Sequence, residues 1–261
     1  MPVGEILVRS FLEPEPGLGQ YVDLLTDSSN FAIIGRTLLV SLIVALVGLV
    51  LAYPYAYAMT RVSSTVRIVL VALVLLPFWT SLIARTFAWV VIFRPGGPLA
   101  VIGEALGFGE RALLGTTAAV IVAMVQVLLP YMVLPLYNAM TSIVGGLMRA
   151  AASLGAKRAT QFFTVFLPLS VPGIMAGTIL VFVMSLGFYL TPSLVGSAQE
   201  PVVGQLIAMK VQRVLDFAGA GALAVVLLIV TFGLLGLMGR LTGGNPMGAI
   251  VSAKGVTTRG R

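Results

Sequence analysis

Five stretches of the chain stay apolar long enough to cross a bilayer: roughly 34–59, 67–93, 116–138, 169–190 and 217–239. Each reaches the ~20 residues that a spanning helix needs. A lone strand could not satisfy its backbone in lipid, so all five are predicted to be helices. Their bulky aliphatic runs argue against a barrel strand. Pro54, Pro77, Pro130 and Pro135 fall inside them and are expected to kink them.

One segment departs from this alternation of apolar run and polar loop. Residues 141–168 read TSIVGGLMRAAASLGAKRATQFFTVFLP. Small and large apolar residues recur there at helical spacing, with Arg149, Lys157 and Arg158 among them. The pattern predicts two short helices joined by a turn at Gly155, a residue that takes positive φ at little cost. The second helix is expected to halt at Pro168, which opens the next span. Phe162, Val165 and Phe166 would form one face, buried against a partner or against the chain's own helices.

Composition fixes the class. Of the 261 residues 59% are apolar and 10% are charged, with a mean hydropathy of +1.07. Soluble domains carry about 25% charged residues. The chain is therefore an all-α, polytopic membrane helical bundle whose first partner is membrane lipid. It has no Cys and no His, which excludes thiol chemistry, disulfides, zinc sites and imidazole proton shuttles. Its net charge of +7 sits in loops beside apolar spans, so the rule that places basic loops in the cytoplasm accounts for it and nucleic acid is not implied.

Charge also orients the chain. Segment 60–67 carries Arg61 and Arg67, loop 141–168 carries Arg149, Lys157 and Arg158, and the tail carries Arg240, Lys254, Arg259 and Arg261, all without an acid. These three lie on one face, expected to be cytoplasmic together with a tail at 241–261. Residues 1–30 hold Glu5, Glu13, Glu15, Asp23 and Asp27 against Arg9 and are expected outside. They contain no signal peptide. Either this tail translocates unaided or a helix precedes it; an additional helix upstream of Met1 is the favoured expectation.

Several chemistries are absent. No G-x-x-x-x-G-K-[ST] occurs, and Gly155-Ala156-Lys157 lacks both the second glycine and the hydroxyl of a phosphate loop. No G-x-S-x-G, no H-E-x-x-H and no intramembrane carboxylate pair is present, so no catalytic, cofactor-binding or metal-binding residue is assigned. Coupled carriers keep an acid or a carbonyl cage at mid-membrane, and this chain offers no acid. Energy for any transport has to come from elsewhere.

The stretch Arg149 to Ile174 resembles the cytoplasmic E-A-A loop of permease subunits in bacterial ATP-binding-cassette importers. Ala150 and Ala151 match its two alanines, Gly155-Ala156 its Gly-Ala step, Phe162, Val165 and Phe166 its apolar face, and Leu167-Pro168 its closure, followed by Pro172-Gly173-Ile174. L-P-F-W-T-S-L-I-A-R-T-F-A-W at 76–89, P-L-Y-N-A-M at 135–140 and the Gln20-Tyr21 region are similar to the spermidine/putrescine-type branch. The likeness covers about residues 10–240. It implies a type I importer permease fold over 31–240, with five spans here against six in the family. It further implies ATPase subunits, a second permease subunit, a periplasmic substrate-binding protein and the bacterial inner membrane. The family's leading Glu is Arg149 here, a charge reversal, and Ser153 stands where an acid is common.

On this resemblance the 141–168 loop, with Arg149, Ala150, Ala151, Gly155, Ala156, Lys157, Phe162, Val165, Leu167 and Pro168, couples the bundle to the ATPase. The expected solute is a polyamine, although relatives in the branch also move iron, thiamine and phosphonates. Phe78, Trp79, Arg85 and Trp89 are candidates for a translocation path. Arg85 either faces a polar cavity or snorkels to the headgroups. The aromatics either line a path or pack between helices. Gln126 is expected to hydrogen-bond a neighbouring helix, and Gly219, Gly221 and Gly233 to allow close packing. The competing readings are a self-contained secondary carrier or channel, and an assembly scaffold.

Overall fold

The computed structural model describes residues 19–105, 113–143, 145–197 and 199–241, and every regular element among them is a helix. All but the first residue of the expected tail at 241–261, and the upstream part of the outer segment, 1–18, lie outside the described residues. In order the helices are α1 (Gly19–Thr26), α2 (Ser28–Arg61), α3 (Ser64–Trp79), α4 (Leu82–Phe93), α5 (Pro98–Ala105), α6 (Thr117–Ser142), α7 (Gly145–Ser153), α8 (Arg158–Gln161), α9 (Leu167–Leu186), α10 (Leu190–Val195), α11 (Val203–Met209) and α12 (Phe217–Leu241). Five helical stretches are long and apolar enough to span a membrane. The chain divides into two compact units, one formed by Leu25–Leu215 and the other by residues up to Leu24 together with those from Asp216 onward.

The larger unit is built on three long helices, α2, α6 and α9, which pack mutually. α2 begins at Asp27, whose side chain accepts the Ser29 N–H at 2.9 Å. It then runs for 34 residues, about 51 Å at 1.5 Å per residue, longer than a hydrocarbon core of about 30 Å. α6 is the most enclosed of the three. Met124, Leu128, Met132 and Leu136 on it are fully buried against Val44, Ala45, Ala52 and Met59 of α2 and Val181 of α9.

α9 approaches α6 at two glycines. A Cβ at Gly173 would lie 2.5 Å from the Ala139 Cβ, and one at Gly177 2.8 Å from the Met132 sulfur. The pair forms a G-x-x-x-G stripe, continued by the buried Ser170 and Val181, and a stripe of this kind lets two backbones touch where lipid gives no hydrophobic drive. The Tyr53 hydroxyl shares a hydrogen bond of 3.0 Å with Ser170 and ties α2 to the same face. These glycines, rather than the Gly233 expected from sequence, make the close contact. Nothing lies within 4 Å of the position a Gly233 Cβ would take.

The stretch 67–93, expected as one span, is two helices. Pro77 has no N–H to give the preceding turn, and α3 ends at Trp79. The Thr80 N–H reaches only the Pro77 carbonyl, at 3.3 Å. Thr80 is extended, and Ser81 starts α4 by accepting the Ala84 N–H on its hydroxyl at 3.5 Å. Pro54, Pro130, Pro135 and Pro172 instead sit inside unbroken helices.

A second correction concerns Pro168. The helix starting at Arg158 does not halt there. It passes through a π-helical turn, Phe162–Phe166, in which the Leu167 N–H bonds the Phe162 carbonyl, and continues as α9 to Leu186. The wider turn directly precedes the proline and accommodates its missing donor and its ring. The expected span 169–190 thus belongs to a helix running from Arg158 to Leu186.

Gly177→Leu is expected to destabilise the α6–α9 contact by about 1–3 kcal/mol, the usual range for overpacking. Gly35→Ala, where nothing lies within 4 Å, should be nearly neutral. Reversible unfolding in mixed micelles, followed by far-UV circular dichroism, measures both.

Candidate functional site: a basic hairpin and an arginine-lined cleft

The hairpin follows directly from the A-A-A-S-L-G-A sequence at 150–156. α7 closes with two reversed hydrogen bonds: the Ala156 N–H reaches the Ala151 carbonyl at 3.1 Å, and the Gly155 N–H reaches the Ala152 carbonyl at 3.0 Å. This is a Schellman cap, which demands a left-handed residue just past the helix end. Gly155 supplies it at φ +83. No atom lies within 4 Å of where its Cβ would be, so the glycine is needed for its dihedral and not for space. The Gln161 side-chain amide then donates to the Ala156 carbonyl at 2.7 Å, locking α8 back onto the turn.

Arg149, Ala150 and Lys157 are exposed on this hairpin, and Ala151 and Ala156 are half-buried. Leu154, at the tip, is 87% exposed, and Phe163 is 63% exposed. Leu167 is half-buried and Pro168 exposed.

The face Phe162–Val165–Phe166 is turned inward. The Phe162 ring meets Tyr53 and Tyr57 edge-on with centroids at 6.2 and 5.5 Å, and Phe166 meets Tyr57 at 5.0 Å. The Arg61 guanidinium covers the cluster, 5.0 Å from the Tyr57 centroid and 6.0 Å from that of Phe166. Of the two burial partners left open by the sequence, Phe162 and Phe166 use the chain's own α2, and Val165 is half-buried. Tyr53, Tyr57 and Arg61 were not singled out in the sequence. Their spacing of four residues, which puts all three on one helix face, was the available signal.

The second feature is a cleft of about 270 Å³ where α3 breaks into α4. Pro77, Phe78, Thr80, Leu82 and Arg85 line it from the break, Val127, Leu128, Pro130 and Tyr131 from α6, and Met184 and Phe188 from the end of α9 and the residues just after it. Phe78 meets Tyr131 edge-on at 5.3 Å. Arg85 lies in the first turn of α4, and its Nε and Nη1 are enclosed without a hydrogen-bond partner. Arg85 is thus one of the residues that line the cleft.

Of the four path candidates, Phe78 and Arg85 reach the cleft. Trp79 is 78% exposed on the outer surface of α3. Trp89 stacks on Phe93 at 4.9 Å and donates its indole N–H to Gln126 at 3.4 Å, which is the interhelical bond expected of Gln126. Among the described residues no group of three or more acids could hold a metal ion.

Comparison with known proteins gives the family to which the chain belongs. Residues 45–240 match the family described as "Binding-protein-dependent transport system inner membrane component". The spermidine/putrescine transport system permease protein PotB of Escherichia coli (strain K12) is 32% identical over 231 residues, covering 88% of this chain and 82% of that protein. PotB of Haemophilus influenzae is 36% identical over 177 residues, covering 67% of this chain and 62% of that protein. A chain in the crystal structure of a bacterial alginate ABC transporter, in complex with an alginate pentasaccharide-bound periplasmic protein, superposes with a TM-score of 0.74 at 20% identity. It covers 92% of this chain and 88% of that one, which shows the shared fold. The chain belongs to the family of binding-protein-dependent transport system inner membrane components and is a multi-pass permease subunit of an ATP-driven importer.

Proposed function

We propose that this chain is one of two permease subunits of an importer for a small cationic solute of the polyamine class, delivered by a periplasmic binding protein and driven by ATPase subunits docked on the hairpin α7–α8. The observation that carries the docking role is the hairpin's construction. A glycine held at φ +83 projects an 87%-exposed leucine from a basic, acid-free loop, while the loop's base is packed rigidly on α2 through Phe162 and Phe166. A movement of the tip is thereby delivered to two spanning helices at once.

The polyamine assignment is supported by the spermidine/putrescine name of the 32%-identical relative. Phe78 and Tyr131 line the cleft, and aromatic faces attract ammonium groups. With the hairpin in the cytoplasm, as its basic residues favour, the substrate path runs inward past the α3–α4 break.

Gly155→Val forces a β-branched residue into a left-handed conformation, at a cost of about 1–2 kcal/mol. In proteoliposomes containing the whole importer, this variant is expected to keep ATP hydrolysis while uptake falls at least tenfold. Normal uptake would remove the turn from the mechanism. Cysteine placed at Leu154 or Thr160 is expected to crosslink to the ATPase in native membranes, and failure at both positions would place the hairpin elsewhere.

A further inference from the structure

Arg61 ends α2, and the helix does not need it there as a cap. The carbonyls of Met59 and Val62 at that end already accept from Arg67, whose Nε and Nη2 lie 3.2 and 3.4 Å away. The Arg61 guanidinium is turned onto rings instead, 5.0 Å from the Tyr57 centroid and 6.0 Å from that of Phe166. One ring belongs to its own helix and the other closes the π-helical turn Phe162–Phe166. A guanidinium is attracted to an aromatic face, so this contact bridges α2 and the turn.

A π-helical turn is rare, and its position here has a geometric consequence. It holds one residue more than an α turn, and each residue of a helix advances the chain by about 100°. The helix ahead of it is turned by about that angle relative to α9. In this phase Phe162 meets both Tyr53 and Tyr57, while Phe163, one position on, is 63% exposed. A shift of one residue would bring Gln161 or Phe163 to the tyrosines in place of Phe162. Gln161 also donates to the Ala156 carbonyl, so turning it would carry Gly155 and the exposed Leu154 along. The Thr164 hydroxyl steadies the turn from within, donating to the Thr160 carbonyl at 2.6 Å, and the rings relate it to α2.

We infer that Arg61 is a positioning residue: seated over Tyr57 and Phe166, it sets the rotational phase in which the hairpin α7–α8 is presented to the ATPase. The inference rests on the proposed docking of the ATPase on that hairpin. Arg61 acts through the Tyr57 ring, which meets Phe162 and Phe166 edge-on. A basic residue that served only to hold its loop in the cytoplasm would need no ring beneath it; this role needs cation and ring together.

The test is a double-mutant cycle on coupling. Uptake of radiolabelled spermidine and ATP hydrolysis are measured on the same proteoliposomes containing the whole importer. Arg61→Gln is expected to lower the spermidine taken up per ATP about threefold, the size an exposed cation–π contact supports. Tyr57→Leu, which keeps the charge, should cause the same loss, and the two changes together no more. Arg61→Lys and Tyr57→Phe should each recover at least half of it. The chain has no cysteine of its own, so Leu154→Cys supplies a unique crosslinking site, and its crosslink to the ATPase should weaken in step with the coupling ratio.

An unchanged ratio and an unchanged crosslink in Arg61→Gln would overturn the inference. So would losses that add in the double variant, or uptake and hydrolysis that fall together with their ratio kept, which marks a role in assembly alone. A wild-type hairpin that gives no crosslink to the ATPase would instead refute the docking on which the inference stands. Wild type that takes up no spermidine would refute the solute assignment, and the crosslink would still report the hairpin's phase.

Discussion

Inside a bilayer every backbone N–H and C=O has to find its partner within the protein, and that constraint governs this structure. It makes every long apolar run a helix and makes any departure from α-geometry costly. Two of the departures in the larger unit bear on its candidate sites. One is the break at Thr80–Ser81 between α3 and α4; the other is the π-helical turn Phe162–Phe166. Each is compensated locally, by the Ser81 cap on the Ala84 N–H in the first case and by the longer-range bond from Leu167 to Phe162 in the second. Each also sits at a candidate site. The break opens the cleft that holds Arg85, and the π turn joins the hairpin to α9. Irregular backbone at such depth survives where it lines a cavity or is buried in protein, and these two are so placed.

The same constraint shapes the packing. Lipid tails are as apolar as leucine, so helices associate through close contact and shared polar groups. Gly173 and Gly177 bring α9 onto α6, and Tyr53 with Ser170 ties both to α2. The aromatic cluster of Tyr53, Tyr57, Phe162 and Phe166, capped by Arg61, extends this contact to the base of the hairpin. Three mutually packed helices therefore connect the base of the hairpin to the cleft.

Much of this was legible in the sequence. The existence of five spanning helices follows from run length, and the turn at Gly155 follows from an alanine-rich segment ending in Gly-Ala, because a Schellman cap needs that pair of residues. Gln126 between helices was foreseeable from one polar side chain in an apolar run. The fate of each proline was not. Pro54 and Pro130 leave their helices unbroken while Pro77 precedes a break. The difference lies in the residues just after Pro77, where Thr80 and Ser81 supply an extended residue and a cap. The π turn before Pro168 has no compositional signature. The inward orientation of Phe162 and Phe166 depends on tyrosines about 110 residues earlier in the chain, a pairing that local periodicity cannot reveal. The role of Gly173 and Gly177 was obscured because other glycines shared the same apolar context.

A helical bundle with no acid inside α2, α3, α4, α6, α9 or α12 moves solute with energy supplied from outside its own spans. Accumulation of radiolabelled spermidine in proteoliposomes that contain the complete importer, with ATP inside and binding protein outside, tests it most directly. Accumulation against a gradient is expected to require both ATP and binding protein and to persist when ionophores collapse proton and sodium gradients. Accumulation without ATP that disappears with the ionophores would contradict it and identify the chain as a secondary carrier.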